Sequence, residues 1–496
     1  MEKIKILPIY PAPPKGVNGV MTFIRDLYED KDWWNKNNFE ILEALGIWFD
    51  LKVKIGKEYE YPEEKEGKVK EEITKEEKNK VKEIAKKYIE EKEPNIIHVN
   101  VYAIDKDILK FLKNYKEKKG ISIVYTVHSL ALQDFIRAPE DQKIFELPKI
   151  PYKIEDLYVK NDEFLNSLLE LSKIYLDLED GDKRILEILV NEDKINKESA
   201  ELFSKYSLEE LEKIIKYYPT QIQSDFEKFR KAVIRTYMMS QQYYLLKLAD
   251  KIVCVSDFIK ESIQKYYPEI ESKKLVTINN GTDMLRVYEE NKSEIEKSSR
   301  TWREKYHEKD DFIIMYVGRV TSTKGVDDLV DAFHMLIKDE KYKDKVFLYL
   351  SGPGAEEYAE KLKDEGKWIK YKMFYFSEDT LPKPLSKNEK VGMAKIYKSA
   401  DVIVYPSLYE PFGLVPLEAL SCEIPVIVRK MDNLENFAKE DIVYSFRTKN
   451  ELANLIKYII ENRNDVAKKV EKSREIIREK YSLERMRKEY LNIFNQ

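Results

Sequence analysis

Two glutamates separated by seven residues, Glu410 and Glu418, flank a glycine turn in Leu408-Tyr409-Glu410-Pro411-Phe412-Gly413-Leu414-Val415-Pro416-Leu417-Glu418. The strand-like run VIVYPS leads into this segment, and a helix is predicted to start near Leu414. Carboxylates and a glycine at the C-terminal end of a strand stand where open α/β sheets bind ligands. Unpaired N–H groups of a helix first turn hold anions. Gly413 lets a ligand approach the backbone closely, and both carboxylates can accept hydrogen bonds from hydroxyls. That combination suits a sugar joined to phosphate.

A second cluster is Gly318-Arg319-Val320-Thr321-Ser322-Thr323-Lys324-Gly325, after the apolar run FIIMYV. Arg319 and Lys324 beside two glycines make a pyrophosphate clamp, the Arg as a fork and the Lys as a point charge. Fixed cations there would stabilise a departing nucleoside diphosphate without a metal. Ser351-Gly352-Pro353-Gly354 ends the run VFLYL and, read alone, is half of a dinucleotide fingerprint, but Glu357 replaces its third glycine. The chain also lacks G-x-x-x-x-G-K-[ST], so NAD and P-loop readings fail. Near the N-terminus, Lys15-Gly16-Val17-Asn18-Gly19-Val20 follows the first strand and could bring backbone N–H groups to a phosphate or an acceptor. His128 follows the strand IVYTV and could hydrogen-bond a sugar hydroxyl. His98, inside IIHVN, reads as structural.

The elements that must position these residues alternate. Strands are predicted at about Lys3 to Ile9, Phe39 to Leu42, Ile96 to Val99, Ile121 to Val127 and Asp250 to Ser256, with Lys-rich helices between them. From about Glu140 to Leu248 the rhythm gives way to helical stretches without strand signal, read as an insertion. A turn at Asn279 to Thr282 and a charged stretch, taken as linker plus connecting helix, lead to a second series: FIIMYV, VFLYLS, VIVYPS, PVIVRK and IVYSF. In YKMFYF a β-core role for the aromatics outweighs contact with a base. Alternation of this kind implies parallel sheets. The expected domains are 1–285 with the insertion at about 140–248, 286–475 binding nucleotide-sugar, and 476–496 as a terminal helix packing back on the first.

A length of 496 residues calls for two domains. With 87 Lys+Arg against 91 Asp+Glu, the net charge of −4 gives no reason to expect a nucleic-acid partner. The 36% charged content, with only 15 glycines, resembles a thermophile protein, although an AT-rich genome produces the same bias. Cys254 and Cys422 lie in apolar runs and read as core thiols, and the four histidines lack zinc-site spacing. No apolar run nears the roughly 18 to 20 residues that span a bilayer, and the start of the chain lacks the features of a signal peptide. A cytoplasmic chain is the expectation.

Taken in order, the glycine loop, His128, VSDFIKESI, NNGTD, GRVTSTKG, SGPG and EPFGLVPLE resemble the retaining glycosyltransferases of the family 4 and glycogen synthase group. The resemblance implies the GT-B fold, two Rossmann-like domains facing across a cleft, and a hexosyltransferase using a nucleotide-sugar donor and a hydroxyl acceptor. It assigns Glu410 to the transferred sugar, Glu418 to the donor ribose, and Arg319 and Lys324 to the leaving phosphate. It places His128 at the sugar and Gly19, Gly318, Gly352, Phe412, Gly413, Leu414 and Val415 around the donor. No cofactor and no metal is implied. Acceptors that fit are a glycerate-like osmolyte precursor, a glycan or a lipid-linked sugar. Peripheral membrane contact and homo-oligomers are compatible with this reading. The alternatives are a nucleotide-sugar 2-epimerase on the same fold and a non-catalytic nucleotide-sugar binder. Two departures stand out: Asn18 occupies the first position of the usual glycine pair, and Arg429 to Glu435 replaces a Gly-Gly loop.

Overall fold

Short β-branched runs and charged amphipathic helices alternate into two separate, mainly parallel sheets. The computed structural model describes residues 3–11, 19–48, 52–55, 58–61, 75–101, 104–133, 143–145, 163–178, 180–370, 372–375, 389–431, 434, 437 and 440–496. The chain divides into Met1–Ile278 with Leu491–Gln496, and Asn279–Tyr490.

In the first unit the strands are β1 (Ile4–Pro11), β2 (Phe39–Ile41), β3 (Leu45–Trp48), β4 (Lys52–Ile55), β5 (Glu58–Tyr61), β6 (Ile96–Val99), β7 (Ser122–Val127), β8 (Lys251–Cys254) and β9 (Leu275–Thr277). Their order is β5-β4-β3-β1-β6-β7-β8-β9, with β2 also on β1. Pairing is parallel from β3 through β9, whereas β3, β4 and β5 pair antiparallel. That antiparallel edge was not anticipated. KVKI and EYEY alternate charge with apolar residues over only four positions, and in β5, the edge strand, such a pattern discourages further pairing.

The described residues of the insertion between β7 and β8 form helices joined by turns, with no strand among them; the helices lie at Glu163–Ser172, Gly181–Asn191, Lys197–Phe203, Leu208–Ile214 and Thr220–Leu248. The last is 29 residues long and buries Phe226, Phe229, Ala232, Met239, Leu245 and Leu246.

His98 at the centre of this sheet is structural, as its sequence context indicated. It is fully buried, with Nδ1 2.5 Å from the Tyr28 hydroxyl and Nε2 2.7 Å from Thr126 Oγ1. Burial, with a smaller contribution from His128, lowers its pKa to about 3. An unfolded histidine titrates near 6.5, so between those values the unfolded chain holds one more proton. This contribution to stability is full above pH 6.5 and is lost on acidification, by about 2 kcal/mol at pH 5. Urea unfolding at pH 7.5 and pH 5 checks this: the loss should shrink in a His98→Gln chain, and equal losses in both would contradict it.

In the second unit β10 (Phe312–Val317), β11 (Val346–Ser351), β12 (Met373–Tyr375), β13 (Val402–Tyr405), β14 (Val426–Arg429) and β15 (Tyr444–Phe446) form one parallel sheet, ordered β12-β11-β10-β13-β14-β15. This is the doubly wound Rossmann order, and its direction reverses between β10 and β13. Ile314, Tyr316, Leu348, Leu350, Val402 and Val404 pack against Leu329, Phe333, Leu452 and Ile456 of the covering helices. In β12, Phe374 stacks on Tyr349 with centroids 4.9 Å apart, which supports the β-core reading of that run; Tyr371 and Phe376 lie outside the described residues. The stretch read as linker plus connecting helix is largely helix, Met284–Tyr306, bent at Asn291. Its charges conceal a buried stripe of Val287, Tyr288, Ile295 and Trp302. Both cysteines are buried and free.

Candidate functional site

The reversal in the second sheet brings the ends of β10 and β13 side by side, and the residues after them are those with chemical potential. After β10, a single 3-10 turn, Ser322–Lys324, is followed by Gly325 at φ +63° and the helix Val326–Ile337. A side chain on Gly325 would place its Cβ 2.3 Å from the Pro406 carbonyl. Only glycine lets the two strand ends meet this closely. The Leu408 N–H then bonds the Thr323 carbonyl at 2.9 Å. These contacts set Lys324 Nζ 2.8 Å from Glu410 Oε2, in an ion pair whose side chains are 18% and 15% exposed.

The same Glu410 oxygen accepts from the Tyr405 hydroxyl at 2.5 Å. Burial and the Glu410 charge push the Tyr405 pKa well up, so the phenol remains a donor. Lys324 Nζ also lies 5.7 Å from the centre of the Tyr405 ring. Arg319 stands exposed at the end of β10, and its side chain has no hydrogen bond among the described residues. Its carbonyl accepts from the Tyr316 hydroxyl at 2.6 Å. Lys324 and Glu410 are therefore held in place, whereas Arg319 is free to reach a ligand.

Gly318 and Gly352 have structural reasons of their own. Their φ angles are +143° and +131°, and a Cβ on Gly352 would lie 2.3 Å from the Gly318 carbonyl. Gly318 N–H bonds the Ser351 carbonyl and Val320 N–H the Pro353 carbonyl, both at 2.8 Å, which continues the strand pairing past the sheet edge. Gly413, at φ +93°, precedes the helix Leu414–Ser421, whose first turn presents Leu414 and Val415, both half-buried. Glu418 lies one turn further on and accepts from the Tyr397 hydroxyl at 2.6 Å. Burial and that carboxylate raise the Tyr397 pKa. The Phe412 ring, in contrast, is 4% exposed and packs on Phe437 and Tyr481, so it anchors the turn and leaves only its backbone for a ligand.

Arg429 was noted in the sequence only as a departure. It is 1% exposed; Nε donates to the Pro406 carbonyl at 2.9 Å, Nη2 to Asp328 at 2.5 Å, and the guanidinium lies 4.9 Å from the centre of the Phe446 ring. It ties the β13 end to the helix after Gly325 and so supports the Lys324–Glu410 pair.

In the first unit, His128 directly follows β7 and is half-buried, its ring 4.6 Å from that of Phe23. Asn100 Nδ2 donates to the His98 carbonyl at 3.1 Å, which turns Asn100 Oδ1 towards His128 Nε2 at 3.3 Å. That arrangement places the proton on Nε2 and leaves Nδ1 as an acceptor. Burial lowers the His128 pKa to about 3, so the ring is neutral at pH 7. Gly19 begins the helix Gly19–Tyr28, and Lys15 to Asn18 lie outside the described residues. Among the described residues no three of His, Cys, Asp and Glu are grouped to hold a metal ion, and no helix is long and apolar enough to cross a membrane.

Tyr397, Tyr405 and Asn100 escaped the sequence reading. The available signal was a tyrosine or asparagine interrupting an apolar run at a strand or helix end.

The family model described as "Glycosyl transferases group 1" matches residues 298–480. An uncharacterised glycosyltransferase of Methanocaldococcus jannaschii is 28% identical over 259 residues, 49% of this chain and 59% of that protein. A glycogen synthase of Thermodesulfovibrio yellowstonii is 28% identical over 187 residues, 37% of this chain and 35% of that protein. The matched stretches thus span only part of these relatives. The crystal structure of Anabaena HepE with UDP and glucose superposes over 99% of both chains, with a TM-score of 0.55 and 12% identity, a likeness of fold. Residues 298–480 thus match the glycosyl transferases group 1 family model, and the two Rossmann-like sheets are of the GT-B kind.

Proposed function

We propose that the chain is a retaining hexosyltransferase that moves a sugar from a nucleotide-sugar to a hydroxyl acceptor without a metal ion. The observation that carries this reading is the Lys324–Glu410 pair beside an exposed Arg319 at the switch point of the second sheet. The departing nucleoside diphosphate gains negative charge, which Arg319, Lys324 and the N–H groups of Leu414 and Val415 would offset. Lys324, already against Glu410, would bridge sugar and phosphate. Glu410, held by Tyr405, would orient the sugar and stabilise its developing positive charge. Retention then follows a same-face course in which the leaving phosphate helps deprotonate the acceptor, with no carboxylate nucleophile. Glu418, held by Tyr397, would bind the ribose. Neutral His128, with Nδ1 as acceptor, suits a sugar hydroxyl. The glycogen synthase relative and the UDP-glucose complexes of HepE favour a hexose as the transferred group. The helical insertion is assigned to the acceptor side, because it follows His128 while the donor-type motifs lie in the second unit.

Steady-state kinetics test the assignment. Glu410→Gln should lower kcat about 10-fold with little change in donor KM, because the lost charge acts mainly in the transition state. Glu418→Ala should instead raise donor KM about 10-fold, for one lost charged hydrogen bond. Activity should survive EDTA. Equal small effects in both variants, or a strict need for a divalent ion, would contradict the reading.

A further inference from the structure

The turn that follows His128 is held from behind by one side chain of the insertion. Gln242, in the helix Thr220–Leu248, is fully buried. Its Oε1 accepts from the Ala131 N–H at 2.8 Å. Its Nε2 donates to the Ser129 carbonyl at 2.8 Å and to the Tyr125 hydroxyl at 3.1 Å. The amide thus stands in for a peptide group of a neighbouring strand, meeting one N–H and one C=O two residues apart. Leu130, Ala131 and Leu132 are buried, so water is poorly placed to substitute. The adjacent Gln241, also buried, donates to the Ile104 carbonyl at 2.6 Å and fixes the same helical turn to the segment before the helix Lys106–Lys119.

Two neighbouring glutamines on a buried helix side are poor packing choices, since apolar side chains fill such space without desolvating an amide. Their hydrogen bonds to the backbone of neighbouring segments account for them. Among the described residues the His128 side chain makes one hydrogen bond, the long 3.3 Å contact to Asn100, and packs on the Phe23 ring, so its placement also depends on the backbone on either side.

We infer that Gln242 is a positioning residue: it fixes the turn at Ser129–Ala131 and thereby the His128 imidazole, so the insertion acts directly on the acceptor-side histidine. The consequence for transfer rests on the reading of His128 under the proposed function; the geometric part does not.

The chain has four histidines, so imidazole NMR of histidine-labelled protein resolves them. Two variants are compared with wild type: Gln242→Met, which keeps length but cannot pair with the backbone, and Gln242→Glu, which keeps the acceptor for Ala131 but faces Ser129 with a carboxylate oxygen. In each folded variant the His128 signals should move and broaden, while those of His98, His307 and His334 stay. In Gln242→Met, hydrogen exchange at the Ala131 amide should accelerate at least about 10-fold, as for one lost hydrogen bond. Transfer kcat should fall at least about 10-fold with donor KM unchanged, using whichever of UDP-glucose, ADP-glucose and GDP-mannose the wild type turns over. If the wild type turns over none of them, the NMR comparison still decides the positioning, and only the transfer reading fails. His128 signals that stay in place in a folded variant, or all four histidines moving together as in general loosening, would overturn the inference.

Discussion

Lys324→Ala should reduce turnover by roughly 10²-fold or more, the scale of losing one preorganised donor at a developing anion. The lysine is held within 2.8 Å of Glu410 before any ligand arrives, so its charge needs no rearrangement to act. Its removal also leaves Glu410, 15% exposed, with the Tyr405 hydroxyl as its remaining hydrogen-bond partner among the described residues. Lys324→Arg would restore charge but not the compact ammonium that fits beside Tyr405, and should recover only part of the rate. Single-turnover kinetics with saturating donor check this. A Lys324→Ala rate within about 3-fold of wild type would remove the lysine from the leaving-group role.

The second large effect concerns folding. Gly352→Ala should destabilise the chain by about 3 kcal/mol or more, because two costs add. At φ +131° the backbone lies where L side chains are rarely found, and the new Cβ would meet the Gly318 carbonyl at 2.3 Å. The carbonyl is backbone and cannot swing aside as a flexible side chain would. Gly366→Ala is the control: its φ of +69° is also left-handed, but nothing lies within 4 Å of a Cβ there. That variant should lose only about 1 kcal/mol. Urea unfolding of both variants measures the difference, and equal losses would show that the contact between the two loops is not what requires the glycine.

Much of the architecture was legible because its signals are local. FIIMYV, VFLYLS and VIVYPS are apolar runs that admit little besides buried strands, and the glycines after them mark where backbones meet. The strands β4 and β5 at one end of the first sheet were not legible, since four residues alternating with charge look like any solvated segment. The helix Met284–Tyr306 was partly hidden for a related reason: its buried stripe of Val287, Tyr288, Ile295 and Trp302 is diluted by Lys and Glu on its other sides.

At the site, Glu410 and Lys324 were found separately, but their pairing depends on strand order. Two positions 86 residues apart become neighbours only because the sheet reverses between β10 and β13. Arg429 read only as a departure from a Gly-Gly loop, and the resemblance implied Phe412 as a donor contact. The structure shows what spacing could not: Arg429 is a buried tie on Pro406 and Asp328, and the Phe412 ring packs on Phe437 and Tyr481. A side chain's partners across a fold leave no periodic trace in the sequence.

The central claim, that the C-terminal edge of the second sheet binds a nucleotide-sugar, is tested most directly by thermal unfolding with a panel of UDP-, ADP- and GDP-sugars. One donor class, at about 100 times its dissociation constant, should stabilise the wild-type chain by about 2.7 kcal/mol. The same concentration should stabilise Glu418→Ala distinctly less. Stabilisation by no member of the panel, or equal stabilisation of both chains, would contradict the account.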